Sequence, residues 1–195
     1  MVFDVTKDRD AAECARLVES WIWIAGTDAG AGDTKKKRHL HAVVNNAGVG
    51  NTGLVDWMEM KDYSFCMDVN CYGMIRTVKA FLPLLKKQAV AQSSSFYEHA
   101  RIINVTSMAG MVASAFSSPY FVSKHAAEAF SNCLRLEMRD FGIPVVTVNP
   151  SFHETPLTDS MVSLATARWQ KLQPQQREEY GEGKATQVME GSFRV

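Results

Sequence analysis

Short apolar runs alternate along this chain with long segments whose apolar residues recur at helical spacing. The short runs are continuous rather than strictly alternating, which is typical of strands buried on both faces of a sheet. They lie at Val2–Val5, Leu40–Val44, Arg101–Val105 and Pro144–Val148, and each is rich in β-branched residues. The pattern therefore predicts four strands of a parallel sheet.

The segments between these runs have the spacing of amphipathic helices. Apolar residues recur at three- and four-residue steps within Asp10–Ala25, and the resulting stripe is expected to face a sheet. A second helical segment covers Tyr63–Lys87. A third begins at Pro119 and ends near Gly142. Proline in the first turn and glycine after the last turn are the residues expected at helix ends.

This alternation of strand and helix predicts an α/β fold with a doubly wound parallel sheet, in which ligands bind beyond the carboxyl ends of the strands. Two segments are expected to be loops, Gly26–Arg38 and Gln88–Ala100. Residues 1–195 are expected to form a single domain, with residues 156–195 as its peripheral C-terminal segment.

Composition narrows the class of protein. Hydrophobic residues make up 46% and charged residues 22% of the 195 residues, as in soluble globular domains. Twenty-one basic residues balance 21 acidic ones, so no global field favours binding to nucleic acid. No apolar run approaches the roughly 20 residues that cross a bilayer, so no transmembrane segment is expected. Cysteines and histidines lack metal-ligand spacing, and no metal site is predicted.

Tyr120 and Lys124 stand four residues apart on the third predicted helix, so their side chains share one face. A tyrosine pKa of about 10 must fall by roughly 3 units, or about 4 kcal/mol, for proton exchange near neutral pH. A lysine charge about 4 Å away supplies roughly that energy at an effective dielectric near 20, but only about a quarter of it in water. The pair therefore works chemically only in a partly dry cleft, and an ordinary surface pair is the alternative.

Two strand ends place further polar or small residues near such a cleft. Ser107 follows the strand Arg101–Val105, where its hydroxyl is positioned to hydrogen-bond a substrate oxygen. Asn45-Asn46-Ala47-Gly48 follows Leu40–Val44, where small residues let a flat ligand approach the backbone. These strand ends and the Tyr120 helix are expected to converge on one site.

Taken together, these residues resemble the short-chain dehydrogenase/reductase family over nearly the whole chain. The matching features are, in chain order, Asp4-Val5-Thr6, Asn45-Asn46-Ala47-Gly48, Asn70 in Met67-Asp68-Val69-Asn70, Ser107 and Tyr120-Phe121-Val122-Ser123-Lys124. Later residues are most similar to the branch that contains retinol, hydroxysteroid and 3-hydroxybutyrate dehydrogenases. The fold that the resemblance implies is Rossmann-like.

The resemblance implies an oxidoreductase that transfers a hydride between NAD or NADP and a secondary alcohol or carbonyl of a lipophilic small molecule. Tyr120 would be the general acid and base, and Ser107 would hold the substrate oxygen. Lys124 would lower the tyrosine pKa and, with Tyr120, bind the nicotinamide ribose. Asn70 would kink its helix and hold a water that connects Lys124 to solvent.

The resemblance also implies contacts to the rest of the cofactor. Asp4 and Val5 would border the adenine; Asn46, Ala47 and Gly48 the adenosine ribose; and Thr155 the phosphate or carboxamide end. Simpler roles remain open for three residues: Asp4 as a cap of the following helix, Asn70 as a polar helix interruption, and Thr155 as a capping hydroxyl.

The chain departs from the family pattern at its start. The first two strands and the Gly-rich phosphate turn are not recognisable, so the domain is expected to be N-terminally incomplete and the choice between NAD and NADP is unreadable. Leu40–Val44 would then be an exposed apolar edge, and an isolated chain is expected to associate. The alternative function is an inactive dehydrogenase-like fragment with a binding or regulatory role.

The remaining expectations concern partners and place. The resemblance is compatible with a homo-oligomer. A cytoplasmic location is the default expectation, and association with a membrane or an organelle would need residues upstream of this chain.

Overall fold

The computed structural model describes residues 3–24, 39–91, 100–151, 153, 155–181 and 183. The chain divides into two compact units. The sheet unit comprises Met1–Ala47, Tyr72–Val105 and Ala129–Val148, and the helical unit comprises Gly48–Cys71, Thr106–Glu128 and Asn149–Val195.

A parallel sheet lies in the sheet unit. Within the described residues it has three strands, β1 (Ala42–Asn45), β2 (Arg101–Val105) and β3 (Val145–Val148), in the order β1-β2-β3. Valine and isoleucine fill most strand positions, and their branched side chains suit a pleated, buried surface. The parallel α/β prediction is confirmed for these three strands.

The predicted strand Val2–Val5 is wrong for the residues that the structure describes. Residues 3–5 lie outside the sheet and lead into α1 through a turn. The Asp4 carboxylate accepts hydrogen bonds from the Thr6 N–H at 3.0 Å and the Thr6 hydroxyl at 2.7 Å. This side chain offers the backbone a local turn in place of strand pairing.

Six α-helices occur in the described part of the chain. They are α1 (Asp8–Ile24), α2 (Met60–Met67), α3 (Gly73–Ala91), α4 (Ser118–Glu137), α5 (Pro156–Lys171) and α6 (Pro174–Tyr180). A π-helical segment, Asp68–Tyr72, joins α2 to α3. After α4, Gly142 has a φ of 63°, a left-handed conformation that favours glycine.

The core of the sheet unit packs helices against the strands. Its buried members are Ala15, Val43, Val78, Phe81, Leu85, Ala100, Ile102, Leu134, Met138, Ile143 and Val145. Helix α1 packs on α3, with Cys14 and Val18 against this core. Leu17 and Trp21 are exposed, so the expectation that the whole α1 stripe faces a sheet is wrong.

Buried polar side chains cross the same sheet. Asn45 and Asn104 are paired in register on β1 and β2, and the Asn45 amide donates to the Asn104 oxygen at 2.8 Å. The Asn104 amide in turn donates to the Ser131 hydroxyl at 2.8 Å. A slip of β1 against β2 would break the Asn45–Asn104 bond, so this bond helps to specify how β1 pairs with β2.

Aromatic side chains form a second cluster, in the helical unit. Trp57 is buried, and its ring centroid lies 5.5 Å from that of Trp169 and 5.4 Å from that of Tyr180. Ala165 and Leu172 belong to the same cluster. The aromatic residues of the C-terminal segment therefore pack together through α5 and α6.

Two loop predictions have different outcomes. Gly26–Arg38 lies outside the described residues. The prediction for Gln88–Ala100 is wrong at its start, because α3 continues to Ala91, and residues 92–99 are outside the description. The assignment of residues 156–195 to a peripheral segment stays a prediction.

Candidate active site

Helix α4 presents two of the predicted catalytic side chains. Pro119 lies in its first turn, where the missing N–H is not needed by the helix. Tyr120 and Lys124 follow one turn apart, and the Lys124 Nζ lies 5.7 Å from the centroid of the Tyr120 ring. Lys124 is only 5% exposed, so the pair occupies a largely dry environment rather than an ordinary surface position.

Ser107 reaches the same tyrosine from the segment that follows β2. Its side chain is hydrogen-bonded to the side chain of Tyr120. The Ser107 oxygen also accepts from the Ala109 N–H at 3.1 Å, which caps a short turn at Met108–Gly110. The serine and tyrosine hydroxyls are therefore adjacent. This is the arrangement needed for both to hydrogen-bond one substrate oxygen.

The pKa of Tyr120 differs from the sequence-based expectation. Burial of the phenol raises its pKa above the usual value of 10, and the hydrogen bond from Ser107 opposes this rise only in part. The nearby Cys66 thiol contributes a further, smaller increase. The pKa of Tyr120 is therefore raised in the free protein because desolvation of the phenolate dominates, and the effect of Lys124 on it stays a prediction.

Burial also acts on Lys124. Removal of the ammonium from water lowers its pKa from 10.5 to about 8, and the charge of Glu128, one turn later on α4, opposes this fall. Lys124 therefore loses its proton at a pH only slightly above neutral. A lysine in this condition can respond to a bound ligand by a change in its protonation.

Asn70 lies at the centre of the π-helical segment and is 1% exposed. Its oxygen accepts from the Val49 N–H at 2.8 Å, while its amide donates to the Val49 carbonyl and the Ser123 hydroxyl, both at 2.9 Å. The Ser123 hydroxyl donates to the Tyr120 carbonyl at 2.7 Å. Asn70 thus lies where π-helical geometry separates α2 from α3, and the kink and the bound water stay predictions.

Gly48 leaves open space beside two of these polar side chains. A Cβ atom added at Gly48 would stand 3.6 Å from both the Asn70 Oδ1 and the Lys124 Nζ. An acceptor and a donor therefore face a position that has no side chain. Such a position suits a ligand hydroxyl, because both kinds of hydrogen bond are available there.

The other predicted cofactor contacts are scattered over the chain. Asn46 and Ala47 are exposed and follow directly on β1. Asp4 bonds to Thr6 in the turn before α1, which begins at Asp8, and the Val5 carbonyl accepts from Arg76 Nη1 at 3.4 Å. Thr155 is exposed and begins α5, where its N–H and carbonyl both bond to the Thr158 hydroxyl. Their roles toward a cofactor stay predictions.

Sequence reasoning missed two polar groupings of the helical unit. Glu128 accepts hydrogen bonds from Thr106 and Asn149, and its position four residues after Lys124 was the signal available. Arg168 forms an ion pair with Asp62 at 2.6 Å and donates to the Thr52 carbonyl at 2.5 Å. No local pattern connects residues that are 106 positions apart.

Metal-binding clusters and membrane-spanning helices are both absent from the residues that the structure describes. Within that part of the chain, no three histidine, cysteine or acidic side chains are grouped so that they could bind a metal ion. None of the helices found there combines the length and the apolar character needed to cross a membrane.

Comparison with known proteins identifies the family. The profile described as short chain dehydrogenase matches residues 28–164. The mitochondrial D-beta-hydroxybutyrate dehydrogenase of Bos taurus is 35% identical over 150 residues, which cover 74% of this chain and 41% of that protein. Retinol dehydrogenase 16 of Mus musculus is 36% identical over 185 residues, or 93% of this chain and 51% of that protein. The chain thus spans about half the length of these relatives or less.

Solved structures confirm the Rossmann-like fold. A short chain dehydrogenase/reductase from Burkholderia phymatum, in complex with NAD, matches with a TM-score of 0.64 and 21% identity. The match covers 99% of this chain and 61% of that one. At this identity the likeness concerns the fold alone, while the sequence relatives carry the assignment. The chain belongs to the short chain dehydrogenase family.

Proposed function

We propose that this chain transfers a hydride between NAD or NADP and a secondary alcohol or carbonyl of a lipophilic small molecule, with Tyr120 as the general acid and base. The observation that carries the proposal is the hydrogen bond between the Ser107 and Tyr120 side chains, with Lys124 one turn from the tyrosine and almost fully buried. Tyr120 could then exchange a proton with the same substrate oxygen that Ser107 holds by a hydrogen bond.

The direction of the tyrosine pKa supports a role for the phenol as a proton donor. Because burial raises the pKa of Tyr120, the phenol is protonated at neutral pH in the free protein. A protonated phenol supplies the proton that a carbonyl oxygen needs as it is reduced to an alcohol. In the reverse direction Tyr120 must first lose its proton, so oxidation of an alcohol is favoured at alkaline pH.

The residues around Gly48 fit a nicotinamide cofactor. Lys124 Nζ and Asn70 Oδ1 face a position without a side chain, so they offer a donor and an acceptor to ribose hydroxyls. Lys124 and Tyr120 would hold the nicotinamide ribose; Asn46, Ala47 and Gly48 the adenosine ribose; Asp4 and Val5 the adenine; and Thr155 the phosphate or carboxamide end. When bound, NAD(P) would supply or accept the hydride, which no side chain of this chain can do.

The substrate class follows from the relatives rather than from a pocket. Relatives at 35% and 36% identity are named for D-beta-hydroxybutyrate and for retinol, a short hydroxy acid and a long apolar alcohol. A third, 36% identical over 146 residues, is named as a 3beta-hydroxysteroid dehydrogenase of Caenorhabditis elegans. We therefore propose a secondary alcohol or ketone on a steroid or a hydroxy acid, or the primary alcohol or aldehyde of a retinoid.

Binding and turnover test the proposal in that order. NADH and NADPH are titrated against the purified chain by nicotinamide fluorescence, and oxidation of D-3-hydroxybutyrate, retinol and a 3β-hydroxysteroid is then followed at alkaline pH. Tyr120→Phe is expected to lower turnover by about 10²- to 10⁴-fold with cofactor binding retained. Phe121→Tyr, on the same helix, controls for a change of one hydroxyl.

Two results would contradict the proposal. A fully active Tyr120→Phe variant would show that Tyr120 is not the general acid and base. Absence of cofactor binding together with absence of turnover on all three alcohols would instead favour the alternative, an inactive dehydrogenase-like chain with a binding or regulatory role.

A further inference from the structure

Glu128 accepts hydrogen bonds from two segments of the helical unit. It lies on α4 one turn after Lys124. The Thr106 hydroxyl donates to Glu128 Oε1 at 2.5 Å, and the Asn149 amide donates to the same oxygen. Hydrogen bonds to a carboxylate are shorter and stronger than those between neutral groups, so Glu128 Oε1 holds Thr106 and Asn149 strongly on α4.

Asn149 extends this connection to the segment that carries Ser107. Its amide donates to the Thr106 hydroxyl at 2.7 Å and to the Ser107 carbonyl at 3.4 Å. Nearby, the Met108 N–H donates to the Pro150 carbonyl at 3.1 Å. The segment after β2 is therefore held both by Glu128 and by the segment after β3.

The same segment approaches α4 closely at Gly110. A Cβ atom added there would stand 2.8 Å from Glu128 Cγ and 2.8 Å from the Lys124 carbonyl oxygen, closer than real contacts allow. The glycine thus lets the backbone lie against the helical turn that joins Lys124 to Glu128. The position of Ser107 and the position of this turn depend on each other.

Glu128 is also the charged group that acts on Lys124 among the described residues. Its charge raises the pKa of the lysine, against the larger opposing effect of burial. Other elements bring polar but uncharged groups toward Lys124, namely Asn70 and the Gly48 backbone. The titratable thiol of Cys66, on α2, acts on Tyr120.

We propose that Glu128 is a positioning residue of this site, which anchors the Ser107 segment on α4 and keeps the positive charge on Lys124. Its effect on the charge is a property of the folded chain, whereas its effect on turnover rests on the proposed function. The two effects can therefore be tested separately.

A double-mutant cycle tests the charge without any need for activity. The free energy of unfolding by urea is measured for the native sequence, Glu128→Gln, Lys124→Met and the double variant. Glutamine keeps an oxygen that accepts from Thr106 and Asn149 but removes the charge. At pH 7 we expect Glu128→Gln to reduce the folding equilibrium constant about fivefold more with Lys124 present than in the Lys124→Met background. A fall of about one unit in a pKa of about 8 gives this factor at pH 7 and the full tenfold only at lower pH.

The pH dependence of this coupling separates charge from packing. The extra factor is expected to disappear at about pH 10.5, where Lys124 is neutral with or without its partner. Glu128→Asp is expected to keep the coupling, and Glu137→Gln, an exposed acid on the same helix, is expected to show none. A coupling that is absent at pH 7, or that persists unchanged at pH 10.5, would overturn the charge role.

Failure of Glu128→Gln to fold is also decisive. If the variant folds only in the Lys124→Met background, Glu128→Asp decides, because Lys124→Met is itself stabilising. The charge role requires Glu128→Asp to fold with Lys124 present and to match Glu128→Gln in stability once Lys124 is methionine. If it folds in neither background, Glu128 acts independently of Lys124 and the charge role is wrong.

Turnover tests the effect on the reaction. With NADH and the ketone of whichever alcohol is turned over, we expect the alkaline limb of kcat for Glu128→Gln to move down by about one pH unit, while Glu137→Gln leaves it in place. An unmoved limb in a folded Glu128→Gln variant would contradict the proposal. If the native chain shows no turnover, the proposed function fails while the unfolding cycle still decides the role of Glu128.

Discussion

The Asn70 side chain joins the π-helical segment to α4 through a 2.9 Å hydrogen bond from its amide to the Ser123 hydroxyl. Ser123 in turn donates to the carbonyl of Tyr120. Both side chains are buried, and Ser123 is flanked on α4 by Tyr120 and Lys124. The π-helical segment therefore brings a buried, hydrogen-bonded amide against the turn of α4 that carries Tyr120 and Lys124.

Replacement of Asn70 by alanine is expected to destabilise the protein by about 3 kcal/mol. The substitution leaves the Val49 N–H, the Val49 carbonyl and the Ser123 hydroxyl without the partner they have now, and buried polar groups without partners carry a desolvation penalty. Urea unfolding measures the change. Asn132→Ala, at an exposed asparagine of α4, is the matched control and is expected to stay within about 0.5 kcal/mol of the native protein.

The ion pair between Arg168 and Asp62 is expected to be stabilising because both partners are largely buried, with side-chain exposures of 15% and 13%. Arg168→Met should reduce the free energy of unfolding by about 3 kcal/mol, since it leaves the carboxylate without its cation. Asp62→Leu in the Arg168→Met background should recover part of this loss. Lys87→Met, which breaks the exposed pair with Glu19, should change stability by less than about 1 kcal/mol.

Acid pH provides a second measurement on Asp62. Burial alone would raise the pKa of this carboxyl, but the Glu59 N–H, the Asn51 amide and Arg168 together hold it below its usual value of 3.8. A carboxyl with a lowered pKa contributes stability above pH 3.8 that is lost as the pH falls through its folded-state pKa. A native protein and an Asp62→Asn variant with the same stability loss from pH 6 to pH 3 would contradict this account.

Lys124 should make the free energy of unfolding depend on alkaline pH. Its pKa falls from 10.5 to about 8 on folding, so the unfolded chain binds more protons between these values and stability rises with pH there. The full effect is about 3 kcal/mol. Lys124→Met should be more stable than the native protein at pH 7, and this advantage should shrink as the pH passes from 8 to 10.5.

Other groups oppose this rise, so the comparison must be made between variants at each pH. Burial raises the pKa of Cys66 from 9.0 to about 11, which removes stability as the pH rises above 9. The native profile alone therefore mixes two trends of opposite sign. Lys79→Met, at an exposed lysine of α3, should parallel the native profile, and a Lys124→Met profile parallel to both would show that burial does not act on Lys124 as described.

Two glycines of the site should respond differently to alanine. Gly110→Ala places a Cβ 2.8 Å from the Lys124 carbonyl, which cannot move without disturbing α4, and about 2 kcal/mol of stability should be lost. Gly48→Ala meets its nearest atoms at 3.6 Å, an ordinary contact, and should fold with a loss below about 1 kcal/mol. NADH titration should nevertheless show weaker binding to Gly48→Ala, because the methyl group occupies the space beside Lys124.

The strands show what the apolar pattern can and cannot predict. Arg101–Val105 was predicted with the bounds that β2 has, because a β-branched run favours a strand. The expected burial on both faces is wrong, since the side chains of β2 alternate between buried and half-buried. Val2–Val5 has a similar composition, but Asp4 bonds to Thr6 and turns the chain into α1. Leu17 keeps the helical spacing of α1 and is still 50% exposed, because spacing predicts a face and not the element that covers it.

The candidate site also contains features that the sequence could predict and features that it could not. The residues with a local motif, Tyr120 and Lys124, could be predicted because helical spacing alone places them together. The direction of the Tyr120 pKa could not, since it depends on burial by residues distant in sequence. Glu128 was missed because its partners, Thr106 and Asn149, are 22 and 21 residues away and meet it only in the folded chain.

The edge of the sheet should make the isolated chain associate. Val44 lies on the edge strand β1 and is 56% exposed, so its backbone and side chain present an apolar template for strand pairing. Val44→Lys should reduce association, because a charge on an edge strand opposes pairing with a second strand. Sedimentation velocity over a wide range of protein concentrations measures the change.

A second exposed valine distinguishes the edge from exposed apolar surface in general. Val55 is 68% exposed but lies in the short turn Val55–Trp57 of the helical unit and not on a strand. Val55→Lys adds the same charge and should leave association almost unchanged. If both variants reduce association equally, net charge rather than strand pairing governs it; if Val44→Lys associates as strongly as the native chain, the edge of β1 is not the surface involved.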